Sequence, residues 1–160
     1  MAPLLADAHL HLFRDGYRGS HGARTVPDGT EIAAYENYRA RFEIRAGLVI
    51  GYEADGIDPG NNAYIRGLAS TRPWLHTLAY VDPATASTEG VIALLAAGHV
   101  GIAVYAPGPD EAAAIVAWPA ALWAALDSAR AIVSFNARPE AIAVLGPFLR
   151  TAGANTRFVF

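Results

Sequence analysis

Apolar runs of strand length alternate with helical stretches along the chain, and this rhythm leaves few folds open. The runs lie at about Leu4–Leu12, Gly47–Glu53, Leu75–Asp82, Val100–Ala106 and Ala131–Asn136, with a last one beginning near Arg157. They are apolar on both faces, as strands buried inside a parallel sheet must be. Between them the periodicity predicts helices at about Glu31–Arg45, Asn61–Arg72, Thr88–Ala97, Trp118–Ala129 and Pro139–Thr151. Ser87-Thr88-Glu89 opens the third helix and Gly98 stands where a left-handed cap is wanted. Pro119 falls just inside the fourth, and the Pro107-Gly108-Pro109 region before it reads as loop and short helix.

Repeated βαβ units point to an α/β fold, a (β/α)8 barrel represented by about its first six units. A closed eightfold barrel needs about 250 residues, and the chain has 160. The closing Arg-Phe-Val-Phe reads as a strand begun with no turn after it. The expectation is therefore one incomplete barrel domain over residues 1–160, truncated or incompletely represented. The alternative is an open six-stranded doubly wound sheet, which would be complete at this length.

Composition removes several functional classes. With 12 basic against 15 acidic residues the net charge is -3, so the chain has no basic field for phosphate backbones or anionic lipids, and neither nucleic acid nor membrane is an expected partner. The absence of cysteine excludes disulfides and thiolate ligands, so any metal must be held by nitrogen and oxygen. The opening Met-Ala-Pro-Leu-Leu-Ala-Asp has no basic n-region, and no later segment reaches 18 uninterrupted apolar residues; a cytoplasmic location is the default expectation. No Gly-rich phosphate loop or Gly-x-Ser-x-Gly elbow is present.

The residues that carry chemistry stand at the end of the first strand. His9 and His11 are two apart, so both rings leave one face, and Asp7 is expected to point the same way one step deeper. In a parallel barrel that face looks into the lumen, and the C-terminal strand end is where active sites are built. Two neutral imidazoles there make half of a divalent metal site. The Gly-rich stretch Arg14–Thr30 follows directly. It carries His21, a candidate substrate or metal contact that reads equally well as an exposed loop histidine, and Arg18 and Arg24, with the same ambiguity. His76 and His99 stand at strand starts, the opposite end, and read as structural or surface histidines.

The other strand ends offer Tyr52, Glu53, Tyr80, Asp82, Tyr105, Asn136 and Arg138 as candidate substrate contacts. The tyrosines would give rings and hydroxyls to an organic acid or lactone, and Arg138 could pair with a carboxylate. Structural readings compete: Asp82-Pro83 is a common turn opener and Tyr105-Ala106-Pro107 a common strand exit.

Ala6-Asp7-Ala8-His9-Leu10-His11-Leu12-Phe13 resembles the opening of the amidohydrolase superfamily, in particular the amidohydrolase-related branch that holds lactonases, decarboxylases and 2-pyrone-4,6-dicarboxylate hydrolases. Leu48–Glu53, Gly60–Tyr64, Leu78–Pro83 and Val133–Asn136 are similar to strand ends of the same branch. The resemblance implies a distorted (β/α) barrel in which His9 and His11 bind a divalent metal, commonly zinc. It implies further histidines from middle strands and an aspartate from the last strand. This chain departs from that pattern: Asn136 stands where some relatives offer a ligand, and the acid/base carboxylate would lie beyond Phe160.

The function expected is a metal-dependent hydrolase acting on a C–O or C–N bond of a small carbonyl substrate, such as a lactone or cyclic carboxylate. The alternatives are a metal-dependent decarboxylase of the same family, or a non-catalytic barrel fragment or binding domain. A homo-oligomer that completes or covers the open sheet edge is a further expectation.

Overall fold

The computed structural model describes residues 4–19, 22–53, 57–152 and 155–160. Six strands, β1 (Leu5–Leu10), β2 (Ile44–Ile50), β3 (Leu75–Tyr80), β4 (Gly101–Ala106), β5 (Ile132–Ala137) and β6 (Arg157–Val159), alternate with helices α1 (Thr30–Arg41), α2 (Asn61–Ser70), α3 (Thr88–Ala96), α4 (Pro109–Val116), α5 (Ala120–Ser128) and α6 (Pro139–Leu149). The strands are ordered β1-β2-β3-β4-β5-β6 in one sheet. A doubly wound sheet reverses its order at a switch point, and this order never does, so the architecture is that of a partial parallel (β/α) barrel.

The chain divides into two compact units, residues 1–77 and 78–160, each with its own core. In the first, Leu10 and Leu12 of the β1 segment pack with Val49, Ile32, Ile65 and Leu75. In the second, alternate residues of two strands, Ile102, Val104 and Ala106 with Val133 and Phe135, face α3 to α6 and meet Leu122, Leu126 and Leu145. This alternation leaves Ala103, Tyr105, Ser134 and Asn136 on the opposite face, and the register pairs Ala103 with Ser134 and Tyr105 with Asn136.

Several boundaries differ from expectation for local reasons. α1 stops at Arg41 rather than Arg45, because Glu43 adopts the left-handed region at φ 53 and Ile44 turns into the core as the first residue of β2. The Pro107–Pro109 region yields the short helix expected there, α4, with Gly108 at the N-cap and Pro109 at its first position, where a missing N–H costs nothing. α5 starts at Ala120 with Pro119 as its N-cap, so Trp118 lies before the helix and its indole Nε1–H donates to the Pro83 carbonyl at 2.9 Å. Ser87 caps α3 as expected, accepting from the Gly90 N–H at 3.0 Å, and Gly98 is left-handed at φ 100.

Candidate functional site

β1 is irregular where its chemistry begins. Asp7 pairs with Gly47 and Leu10 with Val49, so three steps of β1 face two of β2: a bulge with one extra residue. A bulge shifts the face assignment of what precedes it. Asp7 was expected to project with the histidines; instead its Oδ2 accepts from the Tyr35 hydroxyl of α1 at 3.1 Å, and its Oδ1 accepts from the His9 N–H at 3.2 Å. Asp7 thus belongs to the helix-facing side and pins the bulge. Burial, then the bond to this carboxylate, pushes the Tyr35 hydroxyl far above its usual range.

Beyond the bulge, Leu10 and Leu12 enter the core, and His9 and His11 leave on the other side. Their Nε2 atoms lie 3.2 Å apart, with the rings edge to face at 80°. His9 is exposed and His11 half-buried. His11 Nδ1 is 2.8 Å from the Ile50 carbonyl oxygen. A carbonyl only accepts, so this partner assigns the proton to Nδ1 and leaves the His11 Nε2 lone pair to accept from the His9 Nε2–H. Burial holds the His11 pKa below the usual histidine value, more than the Ile50 bond raises it, so the ring is neutral near pH 7. A neutral imidazole with a fixed outer proton is the form that a metal ligand takes.

The spacing fits an ion. Two nitrogens bound to one tetrahedral zinc at about 2.05 Å stand about 3.3 Å apart. The observed separation of 3.2 Å, a hydrogen-bond contact between the two rings, is close to that distance. Among the described residues no group of three or more His, Asp or Glu side chains could hold a metal, so His9 and His11 form a two-donor set.

A supporting layer surrounds the pair. Asn61, the first residue of α2, is 1% exposed; its Nδ2 donates to the Leu12 carbonyl at 2.8 Å and its Oδ1 accepts from the Tyr52 N–H at 3.1 Å. Glu31 of α1 accepts from the Phe13 N–H at 2.7 Å and pairs with Arg24 at 2.5 Å. The loop before α1 is drawn in by Arg24 N–H to Tyr17 O and Val26 N–H to Asp15 O, at 2.7 and 3.0 Å. Gly16 makes this possible at φ 87, where a Cβ would stand 2.3 Å from the Arg24 carbonyl oxygen.

The remaining candidates divide between the units. Tyr52 and Glu53 follow β2 in the first. Glu53 accepts from the Asn62 N–H at 2.7 Å and so caps the start of α2; burial raises its pKa, partly opposed by that bond. In the second unit Tyr80 and Tyr105 bring their rings to 5.9 Å, and Asn136 is the register partner of Tyr105. All three stand at the C-terminal ends of their strands. Arg138 is exposed at the α6 N-cap. Asp82 is exposed and accepts from the Ala84 N–H at 2.8 Å, the turn-opening alternative. His21 lies outside the described residues. His76 is exposed near the start of β3, and His99 is buried just before β4.

Sequence reasoning overlooked Tyr35, Glu31 and the Ile50 carbonyl, and took the Gly60–Tyr64 stretch only as part of a resemblance. For Asn61 a signal exists: an amide at the first position of a helix that directly follows a strand exit is well placed to bond back to it.

No family model matches the chain, and no curated protein matches it. No helix among the described residues is long and apolar enough to cross a membrane. Two solved structures share the fold. One is a probable 2-pyrone-4,6-dicarboxylic acid hydrolase from Acinetobacter baumannii with citric acid bound, at a TM-score of 0.65 and 16% identity over 96% of this chain and 57% of that one. The other is an Agrobacterium tumefaciens protein in its apo form, at a TM-score of 0.51 and 15% identity over 97% of this chain and 66% of that one. The chain spans less than two thirds of either, and at these identities the likeness shows the fold alone.

Proposed function

We propose that the chain carries the first-strand part of a metal-dependent hydrolase site of the amidohydrolase type, acting on a C–O or C–N bond of a small carbonyl substrate such as a lactone or cyclic carboxylate. The observation that carries this reading is the pair of Nε2 atoms 3.2 Å apart at the end of β1, one of them with its tautomer set by Ile50. The fold shared with the Acinetobacter hydrolase agrees with the amidohydrolase resemblance of the His-x-His segment.

His9 and His11 would hold the ion, with zinc the first choice for two imidazoles. When bound, such an ion supplies Lewis acidity and makes water a usable nucleophile near neutral pH. The chain's own part is to keep His11 neutral, to hold the two Nε2 atoms side by side, and to fix the strand end on which they sit. Taken by itself, the second unit offers the Tyr80 and Tyr105 rings with Asn136 and Arg138 as candidate contacts for an organic ring or carboxylate. No described residue is assigned as the acid/base group. Pairing of copies along the open sheet edge remains part of the proposal.

The two-donor set favours a second reading, a binding domain that takes up metal weakly and turns nothing over. Product analysis separates the readings. Zinc-loaded protein is incubated with a panel of lactones and cyclic carboxylates. Ring-opened acid supports the hydrolase, and carbon dioxide release supports the decarboxylase alternative. Identical product yields from wild type and a His9→Ala, His11→Ala double variant would end both enzymatic readings.

A further inference from the structure

We propose that Asn61 is a positioning residue for the histidine pair: its buried side-chain amide sets the distance between the ends of β1 and β2, and through it the His11 tautomer. This deepens the reading above and rests on it only for the consequence to metal affinity.

The registered pairing of β1 with β2 ends at Leu10 and Val49. His11 and the Ile50 carbonyl, which must meet, therefore lie one step past the last ladder pair. Directly beyond them the Asn61 amide spans the gap. Its Nδ2 donates to Leu12, the residue after His11, and its Oδ1 accepts from Tyr52, two residues after Ile50. One planar group thus replaces the backbone ladder where the strands stop pairing. At 1% exposure it has no water to exchange with, so both bonds are obligatory. The amide is held in turn by α2, where Ile65 is fully buried in the first core and Glu53 caps the first turn. The His11 Nδ1–H to Ile50 bond is then the readout of a geometry that Asn61 maintains.

The substitutions that separate this role from plain stability are Asn61→Leu, similar in volume and unable to hydrogen-bond, and Asn61→Asp, which keeps an acceptor for Tyr52 but sets a carboxylate oxygen against the Leu12 carbonyl. Ile65→Val, on the same helix, serves as a variant that loosens the core without touching the bridge. The primary measurement needs no metal: long-range 1H–15N NMR of the apo chain, at a pH where both rings are neutral, reports which His11 nitrogen is protonated and how fast that proton exchanges. Wild type and Ile65→Val should show a single Nδ1–H form with slow exchange. Asn61→Leu and Asn61→Asp should show mixed tautomers and exchange at least about tenfold faster. An unchanged His11 signal in both Asn61 variants, or the same change in Ile65→Val, overturns the proposal.

The second measurement is titration with Co(II), whose absorption reports nitrogen coordination. Loss of an outer partner of a metal ligand costs about 10- to 100-fold in affinity, and that is the loss expected for Asn61→Leu. If Asn61→Leu binds Co(II) within about twofold of wild type while wild type binds it well, the positioning role is overturned. If wild type binds no Co(II), the proposed function fails, and the apo NMR comparison decides the role of Asn61 by itself.

Discussion

Glu31 makes a sharp test of how the segment after the histidines is held. Its side chain, 8% exposed in the ion pair, accepts from the Phe13 N–H through one oxygen and pairs with Arg24 through the other. The two bonds differ in worth. A hydrogen bond from a buried amide to a charged acceptor contributes about 1.5–3 kcal/mol, and removing the acceptor strands that amide beside the 3%-exposed Phe13. Arg24 is 52% exposed, so solvent screens its pair to about 0–1 kcal/mol. Glu31→Ala should therefore destabilise the first unit by about 2–3 kcal/mol. Glu31→Gln can still offer an oxygen to Phe13 and should cost about 1 kcal/mol. Arg24→Ala should cost at most about 1 kcal/mol. The assay is urea unfolding followed by 1H–15N NMR on first-unit amides, with Phe13 among them. Equal losses for the alanine and glutamine variants, or a larger loss for Arg24→Ala than for Glu31→Ala, would refute the reasoning.

Two further outcomes follow from the second unit. A Cβ on Gly101 would sit 1.8 Å from the Ile132 carbonyl oxygen, and backbone cannot yield as a side chain can; Gly101→Ala should cost more than about 3 kcal/mol by thermal unfolding, and a shift of a degree or two would count against the close approach. Asp127 accepts from the N–H groups of Asn155 and Thr156 and from the Asn155 side chain, and these bonds hold its pKa below 3.8. A depressed carboxylate pKa stabilises the fold above the unfolded value and loses that contribution as pH falls through the folded one. Stability of wild type should therefore decline below about pH 4 with a component missing from Asp127→Asn, and identical acid profiles would exclude this cause.

The sequence made some parts of this chain legible and hid others for definite reasons. Strands buried on both faces declare themselves as apolar runs, so β3, β4 and β5 were located within a residue or two. Strand order was legible only as a choice, because an apolar run does not say which neighbour it takes; the 1-2-3-4-5-6 order decides for the barrel. Phe42-Glu43 has no glycine to announce a left-handed turn, so α1 was drawn too long. The side-by-side placement of His9 and His11 followed from the period of two, whereas Asp7 did not, because a bulge leaves no mark in a list of residues. Contacts such as Tyr35 to Asp7 and Asn61 to Leu12 join residues 28 and 49 positions apart, beyond the reach of any local pattern.

The most direct test is a Co(II) titration of the wild type beside His9→Ala and His11→Ala, each checked for an unchanged fold by NMR. Two Nε2 atoms held side by side predict a single saturable site in the wild type and the same weaker background in both variants, since either nitrogen alone is no chelate. Binding undiminished in either variant would contradict the pairing of the two imidazoles, and with it the functional reading.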